Sequence, residues 1–187
     1  MTSLQNVALI VGSLRKDSLS RKAAVALVKL APANLRFTHI EIGQLPLYNP
    51  DDEFDPPSSW LLFRQQIAAA DALLFVTPEY NRSLPGALKN AIDVGSRPYG
   101  QSSWNNKPGA VISVSPGALG AFGANHHLRQ ALVFLNVPTM QQPEAYIGGA
   151  DLLFDDSKTV KNDTTRAFLA TFARAFADWI TIITKSP

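Results

Sequence analysis

Two short runs, NVALIV (6–11) and DALLFVT (71–77), are apolar almost without interruption, and each ends abruptly in a polar, conformationally restricted loop. A strand with one wet face alternates apolar and polar residues. An unbroken run of this length suits a strand buried on both faces, as in a parallel sheet covered by helices. The remaining segments fit that restriction. RFTHIEI (36–42) alternates and reads as a second strand, PGAVISVS (108–115) as a fourth, and VPTMQQP (137–143) as a short fifth flanked by prolines. Helical patterns fall between them at about 19–30, 58–70, 86–94 and 125–135, with Ser58 or Ser59 expected to cap the second after two prolines. A final helix spans about 164–184, where Phe168, Phe172, Phe176, Trp179 and Ile183 are spaced to share one face. Strand then helix, five times over, predicts an α/β protein whose five-stranded parallel sheet carries helices on both faces. One domain over residues 1–187 is expected at this length.

Composition narrows the function classes. The chain has no cysteine, which removes disulfides, thiolate metal sites and cysteine nucleophiles together. Its formal net charge is +2, with no basic stripe of the kind that tracks nucleic acid. The amino-terminal segment enters a strand-like run directly, without the pattern of a signal peptide. Arg174 and Asp178 interrupt the most apolar late segment, so no membrane span is expected. A cytoplasmic protein with a small-molecule partner, and neither nucleic acid nor membrane, is the expectation.

In open parallel sheets, ligands sit beyond the carboxyl ends of the strands, near the point where strand order reverses. The loops after strands one, three and four are therefore the informative ones. In the first, GSLRKDSLSR, the side chains of Ser13, Arg15, Ser18 and Ser20 crowd the start of a helix, where free N–H groups and the helix dipole favour an anion. Neither the nucleoside-triphosphate loop GxxxxGK[ST] nor the dinucleotide turn GxGxxG is present, which leaves a single terminal phosphate as the suited ligand. The plainer alternative is that Ser18 or Asp17 only caps the helix; Asp17 would repel a phosphate unless it points away. In the second loop, TPEYNRSLPG, Pro78 and Pro85 stiffen the ends around Glu79, Tyr80 and Asn81. Such a loop suits the edge of a planar heterocycle, or else is a polar turn with Tyr80 packed on the scaffold. The third, SPGALGAFG, lets backbone approach a ligand closely, and it gains weight only by sharing an edge with the other two.

Together, GSLRKDSLSRKAA, TPEYNRSLPGALKNAID and SPGALGAFGANHHLRQALVFLNVP resemble the NADPH-dependent FMN reductase family, and within it the bacterial quinone and chromate reductases. That resemblance runs from about residue 7 to 149 and implies a flavodoxin-like, doubly wound fold with strand order 2-1-3-4-5 and non-covalent FMN. It places Ser13, Arg15, Ser18 and Ser20 on the phosphate, with Ser20 where many relatives carry Asn. Pro78, Glu79, Tyr80 and Asn81 would line the isoalloxazine, largely through backbone groups, and Ser115 and Gly117 would bound its other side. It also implies that NADPH or NADH reduces the bound FMN, which then reduces quinones, chromate, azo dyes or similar acceptors in a ping-pong cycle. No side chain is assigned as catalytic acid or base, and a homodimer or homotetramer is expected. The alternative from another class is a flavodoxin-like electron carrier or flavin-binding module without its own turnover; such carriers are usually strongly acidic, unlike this chain.

Other residues receive plainer assignments. His126 and His127 are adjacent, so on a helix they diverge by about 100° and suit a helix surface or subunit interface better than one metal. His39 reads as a structural strand residue. Asn90 and Asp93, beside Lys89, share a face that would brace the loop after the third strand. Asp51, Asp52, Glu53 and Asp55 read as a solvated acidic loop without the spacing of a calcium site. Tyr99, Trp104 and Phe122 are left open between site and interface.

Overall fold

A computed structural model describes residues 4–155 and 157–185. Five parallel strands form one sheet: β1 (Gln5–Val11), β2 (Leu35–Ile40), β3 (Ala72–Thr77), β4 (Gly109–Val114) and β5 (Ala145–Ile147). Their spatial order is β2-β1-β3-β4-β5, the flavodoxin-like order. The connecting helices are α1 (Leu19–Leu30), α2 (Ser58–Ala68), α3 (Gly86–Gly95), α4 (Phe122–Phe134), the short α5 (Ala150–Leu153) and α6 (Asp163–Lys185).

The unbroken apolar runs do what their pattern requires. β3 and β4 are buried at every position, and alternate residues feed two separate cores. Val7, Leu9, Val11, Leu74, Val76 and Ile112 pack under α1 and α6. Ala8, Ile10, Leu73, Phe75 and Val111 pack under α2, α3 and α4. Helix α6 is long and apolar enough by composition to cross a membrane. Its stripe of Leu169, Phe172, Ala173, Phe176, Ala177 and Ile180 lies instead in the first core, with Phe168 and Trp179 half-buried at its margins. At ~25 cal/mol per Å2 of apolar surface removed from water, such a stripe stabilises the sheet strongly.

Several sequence expectations need correction. The fifth strand is Ala145–Ile147, not VPTMQQP. The earlier segment does run beside the start of β4: Gly109 N–H donates to Pro138 O (3.0 Å) and Met140 N–H to Gly109 O (2.8 Å). Pro138 and Pro143 have no N–H to extend that ladder, so the regular pairing begins only with Ala145 opposite Ile112. Helix α4 starts at Phe122, three residues before the predicted Asn125. Neither Ser58 nor Ser59 caps α2, whose N-cap is Pro57 with no side-chain bond.

The acidic segment is not simply solvated. Pro50–Phe54 forms a 3-10 turn, and Glu53 pairs with the buried Arg64, which also donates from Nε to Val94 O (2.8 Å). Asn90 braces a different loop from the one expected. Its Oδ1 accepts from Tyr48 N–H (2.8 Å) and its Nδ2 donates to Leu45 O (3.2 Å) and Pro46 O (3.0 Å). Asp93 pairs with Lys89 on the helix surface. Trp104 is fully buried in the second core against Phe63 and Phe75, whereas Tyr99 is exposed.

Candidate functional site

The strand order reverses between β1 and β3, and three loops converge beyond their carboxyl ends and that of β4. They enclose a cleft of about 180 Å3. Ser13, Arg15, Ser18, Ser20, Pro78, Glu79, Tyr80 and Ser115 all line it, together with Leu19, Val114 and Pro116, which the sequence did not single out. Asn81 and Gly117 lie outside the lining. A larger hollow of about 280 Å3, lined by Asn6, Arg36, Thr38 and Gln66 among others, lies away from the carboxyl ends of the strands where the three loops meet.

The first wall is the start of α1. Ser18 is its N-cap, its Oγ accepting from Arg21 N–H at 3.1 Å. Capping and ligand binding are compatible here, because a hydroxyl that accepts one bond still has its own hydrogen to donate. Ser13 is in the same state, accepting from Arg15 N–H at 3.4 Å. Ser20 is the informative residue. It is 1% exposed, and its Oγ has no hydrogen-bond partner among the described residues. An unpaired buried hydroxyl is costly, and this one stands in the first turn of α1, on the wall of the cleft. Arg15 is exposed at the rim; Asp17 is exposed too and lies outside the lining. The residue that would have repelled an anion is thus not part of the wall.

The second wall is the loop after β3. Gly12 packs tightly at the base of this wall: a Cβ there would stand 3.0 Å from Leu88 Cδ2 on α3 and 3.2 Å from Thr77 Oγ1 at the end of β3. Tyr80 and Ser83 exchange two backbone bonds (2.9 and 3.0 Å) across Asn81 and Arg82, both with left-handed backbone. That is the tight reversal in which both central residues have positive φ, and Asn is among the few side chains that tolerate it. Tyr80 is half exposed at the cleft, not packed into the scaffold. The third wall starts at Ser115, whose Oγ accepts from Gly117 N–H at 3.0 Å and whose N–H donates to Ile147 O at 2.9 Å.

Just beyond the walls, His126 Nε2 meets the Tyr146 hydroxyl at 3.0 Å and Phe122 packs on both rings. His127 Nδ1 meets Ser83 Oγ at 3.0 Å. The two histidines therefore serve different neighbours, as their divergence on a helix requires.

A 2-1-3-4-5 parallel sheet with a hydroxyl-lined cleft at its switch point defines a flavodoxin-like protein. The chain belongs to the NADPH-dependent FMN reductase family, whose model matches residues 5–151. It is accordingly an oxidoreductase that uses FMN with a nicotinamide co-substrate. A quinone reductase of Pseudomonas putida is 62% identical over 181 residues, covering 96% of this chain and 97% of that one. A 2-hydroxy-1,4-benzoquinone reductase of a Burkholderia species is 48% identical, covering 93% and 95%. Among solved structures, the flavoenzyme NAD(P)H:(acceptor) oxidoreductase FerB of Paracoccus denitrificans superposes with a TM-score of 0.90 at 47% identity, covering 95% and 97%.

Proposed function

We propose that this protein is a quinone reductase that works in two half-reactions at one site. The observation that carries this reading is the cleft with the buried, unpartnered Ser20 hydroxyl at the α1 terminus, the donor set a phosphate monoester needs. The high identity to a Pseudomonas putida quinone reductase over nearly the whole of both chains supports quinones as acceptors. Chromate and azo dyes are proposed as secondary acceptors, since the half-exposed Tyr80 leaves the mouth of the cleft open to flat or small electrophiles.

Ser13, Ser18 and Ser20 would hold the FMN phosphate with hydroxyl and helix N–H donors, and Arg15 would close on it from the rim with a charge-assisted bond. Pro78, Glu79 and Tyr80 would border the ring system on one side and Ser115 on the other. Asn81 contributes by turning the loop and Gly117 by fixing the Ser115 hydroxyl. Bound FMN would supply the two-electron chemistry between the nicotinamide and the acceptor. The chain's own task is to bind, orient and expose one face to successive partners, so no acid or base is assigned. The exposed apolar Val133 and Phe134 on α4 support association into a homodimer or homotetramer.

An absorbance spectrum of the purified protein, followed by anaerobic NADPH and then a quinone, tests the reading. Flavin bands that bleach with NADPH and return with quinone are expected. Bands that resist NADPH would turn the chain into an electron carrier, and no bands even after added FMN would overturn the site.

A further inference from the structure

We infer that the Glu79 side chain is a positioning residue that ties the loop after β3 to the first turn of α4, so that two walls of the cleft are held in one geometry. The inference rests on the FMN reading given above, but the tie itself is a property of the chain. Although Glu79 borders the cleft, its carboxylate is already engaged. Oε2 accepts from Ala124 N–H at 3.1 Å, and Oε1 faces Arg82 Nη1 at 3.4 Å. The Glu79 side chain is 15% exposed and that of Arg82 is 75% exposed, so the ion pair is screened by water while the bond to the backbone is not.

Helix α4 needs that bond. Its N-cap is Ala121, with left-handed backbone and no side-chain cap, and its first turn holds no acidic residue. The opening N–H groups of a helix lack intrahelical acceptors, and a carboxylate beside them is favoured by the dipole. Glu79 provides the acceptor from 45 residues away in sequence. Two further features make the junction tight. His127 Nδ1 meets Ser83 Oγ at 3.0 Å, one turn further along the helix. Gly123 leaves no room for a side chain: a Cβ would stand 2.8 Å from Arg82 O and 3.0 Å from Glu79 Oε2. Because α4 grows directly out of the 115–121 loop, fixing its first turn against 79–83 sets the spacing between the Tyr80 wall and the Ser115 wall.

The test combines Glu79→Leu, Glu79→Gln and Gly123→Ala. Amide hydrogen exchange is followed in the flavin-free proteins, and FMN affinity and the absorption envelope of bound FMN are followed in titrations. Glu79→Leu is expected to speed exchange at Ala124, Tyr80 and Ser83, to shift the flavin envelope and to weaken FMN by roughly tenfold. Gly123→Ala, which keeps the carboxylate but forces loop and helix apart, should reproduce all three effects. Glu79→Gln keeps an acceptor oxygen and should restore exchange protection to within about threefold.

Exchange in Glu79→Leu that matches wild type would overturn the tie. So would acceleration spread evenly over the core strands, the mark of mere destabilisation, and so would a Glu79→Gln variant no better protected than Glu79→Leu. Wild-type protein that fails to bind FMN would sink the functional reading instead, while the exchange data would still judge the tie.

Discussion

Replacing Ser20 with alanine should strengthen the flavin-free protein and weaken its hold on FMN. The hydroxyl is 1% exposed and has no partner among the described residues. Leaving such a group buried costs about 1–3 kcal/mol, and alanine in the first turn of α1 is also the better helix former by about 0.5 kcal/mol. Part of that gain is lost to the small hole left behind, so a net stabilisation of about 1–2 kcal/mol is expected. For a chain of this size that raises the melting temperature by roughly 2–8 °C. With FMN the sign reverses. One hydrogen bond to a charged phosphate is removed, about 1.5–3 kcal/mol, which is roughly a ten- to hundredfold rise in Kd. Thermal unfolding of flavin-free protein and a fluorescence-quenching titration with FMN read the two effects separately. Because ligand stabilisation grows as RT ln(1 + [L]/Kd), the two melting curves should draw together or cross at high FMN. A flavin-free S20A protein less stable than wild type, or one that binds FMN equally well, would refute the assignment of this hydroxyl to the phosphate.

Three further outcomes follow from the packing. Gly95→Ala should destabilise by about 1–3 kcal/mol or more in denaturant unfolding, because a Cβ there would stand 2.6 Å from three ring atoms of the fully buried Trp104. Asn90→Ala should cost about 2–3 kcal/mol by stranding Tyr48 N–H and two carbonyls, whereas Asp93→Asn on the same helix should change stability by no more than about 0.5 kcal/mol. Equal effects from the two would contradict the bracing role. The Tyr146 phenol is pushed up to about 12, by burial first and then by the hydrogen bond and charge of Glu144. Between its ordinary value of 10.0 and about 12, the unfolded chain has released that proton and the folded chain has kept it, so stability falls as pH rises across this window. Tyr146→Phe should flatten that alkaline slope, and an unchanged slope would assign the effect elsewhere.

The sheet was legible because its signal is local and redundant. NVALIV and DALLFVT announce strands buried on both faces, and the polar loops after them mark the ligand edge. That Ser13, Arg15, Ser18 and Ser20 share one cleft was legible for the same reason: the four donors fall within one loop and one helical turn. What the sequence concealed is cooperative over distance. The early start of α4 depends on a cap supplied from Glu79, and no local cap marks Phe122 as a helix start. The place of β5 depends on which N–H groups near Pro138 and Pro143 remain free to pair, which residue types alone did not weigh. Asn90 likewise reaches across to residues 45–48, a partner with no sequence signature.

Helix α6 follows every strand in chain order, yet it covers one whole side of the sheet with α1. A nascent chain therefore completes all five strands, and the loops that frame the cleft, before that apolar face gains its full cover. During synthesis the exposed side of β1, β3 and β4 is an adhesive surface, open to chaperones or to other unfinished chains. Truncation before Asp163 should therefore yield chains that aggregate, read as a fall in the soluble fraction on expression, although the loops that frame the cleft are already complete.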